Sequence, residues 1–435
     1  MTTIKTDILI AGAGISGLSA AYHLEKKGKR NYLLVEKEPD FGGLCGSFEK
    51  DGYTFDWSGH LLHLHTNDGM KLVKSLLGSN IGRLERSAWI YSHGVCTKYP
   101  FQAALYGLPK DVVTECVTGA VKSRSAGKAP SGANFHDWAL ALFGEGICRH
   151  FMFPYNEKLW GVPSKELGSD WCAPFVPRPS LDEIIRGAYW PSEKQYGYNP
   201  SFLYPLRGGS RALCAALAKH ISNLKLGCAV EKIDLQTRTA QVKGLGTVSY
   251  KKLINTLPLK ETAGMLDAPP AEIRKHAAAL RARRVHVVNL GFPCKMPDKH
   301  WLYFPEKQFP FYRAGIASNF SPHVAPKGHC SLYIEIPVDS GSPDNAALEK
   351  QAVAGLVRCG LLPEKNTPRP DSALHLDIGS AYAVYDARRA PAVQALTSYL
   401  AKHSCHCTGR YGLWRYSFME QDLLDARDLA LKLAR

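Results

Sequence analysis

The residues whose spacing suggests a definite chemistry are Gly12, Gly14 and Gly17, in a G-x-G-x-x-G pattern, and Glu36, about 20 residues further on. In such a pattern the first glycine permits a tight turn, and the second lets the backbone approach a pyrophosphate. The third lets a helix pack closely on a strand. A carboxylate at this distance binds a ribose hydroxyl. The four residues therefore predict a dinucleotide site.

A strand, a helix and a second strand must position these four residues. Residues 8–10 are an apolar run suited to a buried parallel strand, and small or apolar residues continue as a helix to Gly28. Residues 32–35 form the second strand and end at Glu36. This order predicts an α/β fold with a Rossmann-like parallel sheet, interleaved with a mixed α+β substrate domain.

Two further groups of residues could carry chemistry. His60 and His63 follow a predicted hairpin, and they fit either an ordinary polar loop or a functional site. Arg313 lies within an apolar stretch, where a permanently charged guanidinium needs an anion or several acceptors. That arginine suits a bidentate contact with phosphate. The aromatic residues of 151–160, taken by residue type alone, fit a hydrophobic core.

Several segments, in order along the chain, resemble the UDP-galactopyranose mutases, which are flavoenzymes of the FAD-dependent amine oxidase and protoporphyrinogen oxidase superfamily. Besides the glycine fingerprint and the histidine loop, they read DFGGLCG (40–46), FMFPYNEKLWGVP (151–163), WLYFPEKQFPFYRAGIASNFSP (301–322) and GRYGLWRYSFMEQ (409–421). The resemblance covers most of the chain. It implies FAD rather than NAD as the dinucleotide.

The resemblance also implies roles for individual residues. The FAD-binding positions are Gly12, Gly14, Gly17, Glu36, Gly42, Gly43, Val230 and Arg410. The substrate-binding positions are Phe151, Asn156, Trp160, Tyr303, Arg313, Tyr382 (with Tyr385 in reserve) and Tyr416. The catalytic positions are His60, His63 and Arg313, with the histidines shaping the pocket beside the flavin rather than acting as general bases.

The activity implied by the family is the interconversion of pyranose and furanose forms of a nucleotide sugar. In that family the reduced flavin N5 attacks the anomeric carbon while the nucleotide diphosphate leaves, so the protein itself needs no side-chain nucleophile. The expected partners are a nucleotide-sugar substrate and a reductant for the flavin, for which NAD(P)H is a candidate. The sequence leaves the oligomeric state open.

One position departs from the family pattern. The family places an arginine on the substrate diphosphate where this chain has Phe175, and Arg178 is the nearby candidate to replace it. The departure favours an alternative, an FAD-dependent oxidoreductase of the amine oxidase or protoporphyrinogen oxidase type that transfers hydride to the flavin. A third class, the non-catalytic GDP dissociation inhibitors, is disfavoured by the intact glycine fingerprint and by Arg410.

Composition limits the remaining possibilities. A chain of 435 residues is long enough for two domains, and we expect a discontinuous FAD domain (1–60, 200–262 and 395–435) with substrate-binding regions at 61–199 and 263–394. The net charge of +15 is dispersed, so no nucleic-acid partner is expected. No apolar run is long enough to span a membrane, and twelve scattered cysteines fit a reducing, cytoplasmic compartment. The cluster His403, Cys405, His406 and Cys407 matches no zinc spacing, so no metal is predicted.

Overall fold

The computed structural model describes residues 3–125, 132–192, 194–197, 199–339, 341 and 343–434. Within these ranges, none of the helices combines the length and the apolar character that crossing a bilayer requires. The strands run Ile4–Ala11 (β1), Tyr32–Val35 (β2), Ser47–Lys50 (β3), Tyr53–Asp56 (β4), Gly82–Glu85 (β5), Ala88–Ser92 (β6), Val95–Lys98 (β7), Ser201–Tyr204 (β8), Leu224–Lys225 (β9), Val230–Asp234 (β10), Thr239–Val242 (β11), Gly246–Asn255 (β12), Ala282–Phe292 (β13), Trp301–Tyr303 (β14), Arg313–Ile316 (β15), Cys330–Val338 (β16), Ser372–Ala383 (β17) and Cys405–Cys407 (β18).

The helices pack on two larger sheets and between them. They run Ile15–Lys26 (α1), Asn67–Leu77 (α2), Lys110–Ser125 (α3), Phe135–Ile147 (α4), Phe153–Trp160 (α5), Cys172–Phe175 (α6), Leu181–Tyr189 (α7), Arg211–Ala218 (α8), Leu259–Gly264 (α9), Ala271–Ala279 (α10), Asn345–Arg358 (α11), Arg389–Lys402 (α12), Gly409–Gly412 (α13) and Met419–Leu433 (α14).

The first sheet contains the predicted dinucleotide fold. Its order is β10-β11-β12-β1-β2-β9, with β18 also paired to β12, and the strands β18, β12, β1, β2 and β9 are parallel. The apolar β1 is buried because α1 covers one face of it, and α14 packs against α1 with Ser19 Oγ donating to the carbonyl of Leu423 at 2.7 Å. The α/β class with a Rossmann-like parallel sheet is thus confirmed.

One boundary in this sheet differs from the sequence prediction. The pattern of residues 225–233 predicts one strand, but the structure divides them into β9 and β10. Gly227 has φ of +68° between the two, a left-handed conformation that ends the extended backbone. The break matters because β10 begins at Val230, which the family resemblance assigns to the cofactor site.

The second sheet is mixed and runs β17-β13-β16-β15-β14-β6-β7. Its register pairs Tyr303 with Arg313, and Arg313 in turn with Glu335. Side chains of directly paired residues project from the same face of a sheet. The register therefore aligns two predicted substrate residues with a carboxylate that lies far from them in sequence.

A layer of helices lies beside this second sheet. A π-helical turn over residues 148–152 connects α4 to α5 and changes the direction in which the following side chains point. Phe151, on this turn, lies in a parallel stack between Phe101 and Tyr155, with ring centroids 5.1 and 5.2 Å away. The stack fixes α5, and with it Asn156 and Trp160.

Candidate functional site

The glycine turn between β1 and α1 has the geometry of a cradle for a phosphate group. Gly12 has φ of +94°, and a Cβ atom on Gly17 would lie 1.9 Å from the carbonyl oxygen of Gly12. Both positions therefore require glycine. Gly14 precedes α1 without any side-chain hydrogen bond to the first turn, and that turn carries no acidic residue. The backbone N–H groups of the first turn of α1, and the positive end of the helix dipole, can therefore bind an anion.

Glu36 lies directly beside this turn. Its Oε2 accepts a hydrogen bond from the backbone N–H of Ala13 at 2.7 Å, and its Oε1 accepts from the N–H of Glu38 at 3.1 Å. The second glycine pair reaches the same place, since Gly42 donates to the carbonyl of Ala13 at 2.9 Å. The fingerprint glycines and Glu36 thus lie next to the second glycine pair, Gly42 and Gly43. Together they form one continuous part of the predicted dinucleotide site. Val230 is buried at the start of β10.

His60 and His63 lie in the loop that precedes α2. Burial and, for His60, the nearby Arg410 charge lower the pKa of each imidazole from 6.5 to about 4. Both rings are therefore neutral near pH 7. The amide nitrogen Nδ2 of Asn199, which is a hydrogen-bond donor, lies 3.4 Å from Nε2 of His63. Glu420, in the first turn of α14, holds the end of the loop through the N–H groups of His65 and Thr66, at 2.8 and 2.9 Å.

The largest group of predicted residues lines a single cavity between α5, α6 and the second sheet. The space between these walls that holds no protein atoms is about 860 Å³, a figure that includes the part open to solvent. All seven predicted substrate residues lie on its wall, namely Phe151, Asn156, Trp160, Tyr303, Arg313, Tyr382 and Tyr416. They come from four separate parts of the sequence. His60, His63 and Arg410 are outside this lining.

Arg313 is partly exposed and forms an ion pair with a buried carboxylate. Its Nε and Nη2 donate to Oε2 and Oε1 of Glu335 at 2.6 and 2.5 Å, and the hydroxyl of Ser58 also donates to Oε1. Glu335 is 1% exposed. The bidentate contact predicted for a substrate phosphate is therefore made by an internal carboxylate, because the register of β15 and β16 places it opposite. Arg313 presents a largely neutralised pair to the cavity.

The tyrosines at the other side of the cavity surround Arg410. Tyr382 and Tyr416 stack with centroids 5.9 Å apart, and the Arg410 guanidinium lies 5.4 and 4.8 Å from their centroids. Arg410 also donates to the carbonyls of Ser417 and Ala381 at 2.9 and 3.1 Å. The hydroxyl of Tyr385 accepts from the backbone N–H of Tyr416 at 2.7 Å, so Tyr385 supports this group while Tyr382 lines the cavity.

Phe175 also lines the cavity, with its ring centroid 4.5 Å from that of Tyr416. Arg178, the sequence-based candidate to replace the missing arginine, points elsewhere. Its guanidinium lies over the Trp138 ring at 5.3 Å, and it lines a neighbouring cavity formed with Glu183 and Lys194. Proline residues at 177 and 179 set this direction by fixing the backbone between α6 and α7.

The structure adds residues that sequence reasoning missed. The cavity is also lined by Arg86, Tyr99, Gln102, Tyr155, Trp171 and Asn199. Gln102 donates from Nε2 to the carbonyl of Pro177 at 2.7 Å, which directs its oxygen away from that carbonyl. No motif marks Arg86 or Asn199, because β5 and β8 bring them together by pairing Glu85 with Ser201. Within the described ranges, no group of three or more potential metal ligands converges.

Residues 15–377 match the family described as flavin containing amine oxidoreductase. Since the match covers most of the 435 residues, the chain belongs to this family, and a flavin is the cofactor class that membership implies. The glycine cradle and Glu36 fit the dinucleotide portion of such a cofactor.

Individual relatives divide between two kinds of chemistry. A structure of reduced UDP-galactopyranose mutase superposes with a TM-score of 0.92 and 28% identity, covering 98% of this chain and 96% of that one. Cyclohexylamine oxidase from Brevibacterium oxydans shares the fold at a TM-score of 0.71 and 14% identity, covering 99% of this chain and 98% of that one. Coproporphyrinogen III oxidase of Bacillus subtilis is 22% identical over 67% of this chain and 68% of its own length.

Proposed function

We propose that this enzyme is an FAD-dependent mutase that interconverts pyranose and furanose forms of a nucleotide sugar while its flavin is reduced. One observation carries the proposal: seven residues assigned to a nucleotide sugar, from four distant segments, line the same cavity. The similarity to reduced UDP-galactopyranose mutase, over nearly the whole of both chains, supports it.

FAD would be held by Gly12, Gly14, Gly17, Glu36, Gly42, Gly43, Val230 and Arg410. We assign them to a discontinuous FAD domain at 1–60, 200–262 and 395–435, and the remaining ranges, 61–199 and 263–394, to substrate binding. The parallel sheet, whose strands lie within 4–35, 224–255 and 405–407, supports this division. When bound, the reduced flavin supplies the nucleophile for the anomeric carbon.

The side chains of the cavity would bind two parts of the substrate, the nucleoside and the diphosphate. Phe151, Asn156 and Trp160 form an aromatic and amide wall suited to a nucleobase and its sugar. The tyrosine hydroxyls at Tyr303 and Tyr382 are donors suited to phosphate oxygens. Such donors stabilise a departing diphosphate because they are already in position before the bond breaks.

His60 and His63, which lie outside the lining of the substrate cavity, are proposed to shape the pocket beside the flavin rather than to transfer protons. Their lowered pKa keeps both rings neutral at physiological pH. Arg410 would add a fixed positive charge near the tyrosines, and so favour an anion there.

The proposal is tested with the purified flavoprotein, reduced with dithionite without oxygen and given UDP-galactofuranose, with products separated by chromatography. We expect UDP-galactopyranose from the reduced protein and none from the air-oxidised protein. Tyr382→Phe should slow conversion by roughly tenfold through loss of one hydroxyl contact. The matched change Tyr399→Phe, on α12 and outside the cavity lining, should not. Absence of conversion in the reduced, flavin-loaded protein would rule out this sugar nucleotide.

The alternative function is an oxidation in which the substrate passes hydride to the flavin. Two observations favour it, the phenylalanine at position 175 and the similarity to coproporphyrinogen III oxidase over two thirds of both chains. The oxidised protein, given coproporphyrinogen III in air, should then form porphyrin faster than the same solution without protein. Arg86, a buried arginine of the cavity wall, counts against an amine substrate, because its positive charge favours an anion.

A further inference from the structure

Arg86 is a buried cation on the wall of the cavity. The residue is 5% exposed and follows β5 directly. Its guanidinium donates to Oδ1 of Asn199 at 2.5 Å and to the carbonyl oxygen of Tyr196, and it lies over the Tyr99 ring at 5.0 Å. All of these partners are uncharged. Among the described residues, no carboxylate lies within ion-pairing distance of it.

This sets Arg86 apart from the other arginine of the cavity wall. Arg313 donates from Nε and Nη2, one edge of its guanidinium, to the two carboxylate oxygens of Glu335, which is buried behind it. Burying an uncompensated charge is costly, and neutral acceptors offset only part of that cost. A bound anion would complete the compensation at Arg86. The charge distribution of the free protein therefore already indicates where an anionic group of a ligand belongs.

Arg86 is also held in one orientation. Asn199 accepts from Arg86 through Oδ1, so its Nδ2 is a donor, and that nitrogen lies 3.4 Å from His63 Nε2. The contact with the carbonyl oxygen of Tyr196 fixes Nη2, the second terminal nitrogen of the guanidinium. A guanidinium restrained in this way loses little side-chain entropy when a phosphate binds.

We infer that Arg86 binds the diphosphate of the nucleotide sugar, in the role that the related mutases give to an arginine at the position of Phe175. The inference rests on the proposed function. Phe175 lines the same cavity but contributes only an apolar ring against Tyr416. Arg178 is directed to the neighbouring cavity. The diphosphate would therefore be contacted by the residue that follows β5 instead of by a residue of α6.

The test compares the affinities of UDP and uridine for the purified flavoprotein by calorimetry. Arg86→Gln should weaken UDP binding by about 10- to 100-fold, as expected for loss of a charged hydrogen bond, and leave uridine binding within about twofold. A purely structural role for Arg86 would move both ligands together. Arg83→Gln is the matched control and should change neither affinity. Arg83 is an exposed arginine within β5, three residues before Arg86, and its Nη2 donates to Ser201.

The outcomes separate this inference from the proposed function. If the unmodified protein binds UDP but Arg86→Gln binds it equally well, the role of Arg86 is overturned and the proposed function stands. If the unmodified protein binds no UDP, both the role of Arg86 and the proposed function are refuted. Should Arg86→Gln not fold, Arg86→Lys is the replacement test, because lysine keeps the positive charge but lacks the planar guanidinium with its several donors. The ratio of UDP to uridine affinity should then fall by about tenfold, and an unchanged ratio would overturn the inference.

Discussion

Gly17→Ala is the substitution for which the structure predicts the sharpest effect on the cofactor. A Cβ atom at this position would lie 1.9 Å from the backbone carbonyl oxygen of Gly12, whereas real Cβ contacts are essentially never shorter than 3.0 Å. Helix α1 and the glycine turn must therefore separate by about 1.1 Å, the difference between the two distances. Neither atom belongs to a flexible side chain, so the backbone itself must move.

That displacement acts directly on the cradle. The first-turn amides of α1 would no longer converge with the turn at Gly12, and each hydrogen bond to a charged phosphate is worth about 1.5–3 kcal/mol. We expect flavin affinity to fall by at least ~10-fold, and folding stability to fall by about 1–3 kcal/mol from overpacking. The assay is the ratio of visible flavin absorbance to protein absorbance after purification, followed by titration with FAD.

Gly28→Ala is the matched control, because Gly28 follows the other end of the same helix. It has φ of +69° and an added Cβ atom would meet nothing within 4 Å, so the change costs about 1–2 kcal/mol of backbone strain and no steric clash. We expect full flavin content in this variant. Equal flavin content in Gly17→Ala and Gly28→Ala would refute the placement of the pyrophosphate at the glycine turn.

Three further predictions concern the site. Glu335→Gln should lower the free energy of unfolding by about 1–3 kcal/mol in urea titrations, because it removes the carboxylate that pairs with the partly buried Arg313. An unchanged free energy of unfolding would contradict this ion pair. Lys158 donates to four backbone carbonyls between residues 304 and 311. Lys158→Met removes these hydrogen bonds and should therefore lower the melting temperature and raise KM. An unchanged KM would show that the loop of residues 304–311 does not position the substrate. The pKa values of His60 and His63, lowered to about 4 by burial, mean that the unfolded chain binds more protons between pH 4 and 6.5. Stability should therefore rise with pH across that window, by up to ~3 kcal/mol per histidine, and then level off. Replacing both by glutamine should flatten this slope, and an identical slope would contradict the assignment.

Local patterns in the sequence predict the cofactor half of the structure well. The strand, turn and helix around Gly12 and the hairpin of β3 and β4 follow from short-range rules. The same rules predict a strand that continues through Gly227, although its left-handed backbone divides β9 from β10. Such a break depends on one dihedral angle and leaves the hydrophobic pattern unchanged.

The electrostatics of the cavity could not be read from the sequence. Glu335 faces Arg313 only because β15 and β16 pair in one particular register, and a one-residue shift would turn it to the other face. Arg86 reaches the cavity through the pairing of β5 with β8, which are distant in sequence. Arg178 lies close to Phe175 along the chain, but its side chain takes another direction. These are long-range relations, which residue spacing does not encode.

The claim that the cavity holds a diphosphate as a leaving group is tested most directly by isotope exchange. UDP-galactopyranose is prepared with heavy oxygen in the bridge between the anomeric carbon and the β-phosphorus, and is incubated with the reduced protein. We predict that the label spreads to the other oxygens of the β-phosphate, because the diphosphate departs, rotates within the cavity and rejoins the sugar. Recovery of UDP-galactofuranose with the label still confined to the bridge would contradict cleavage of that bond, and with it the mutase mechanism.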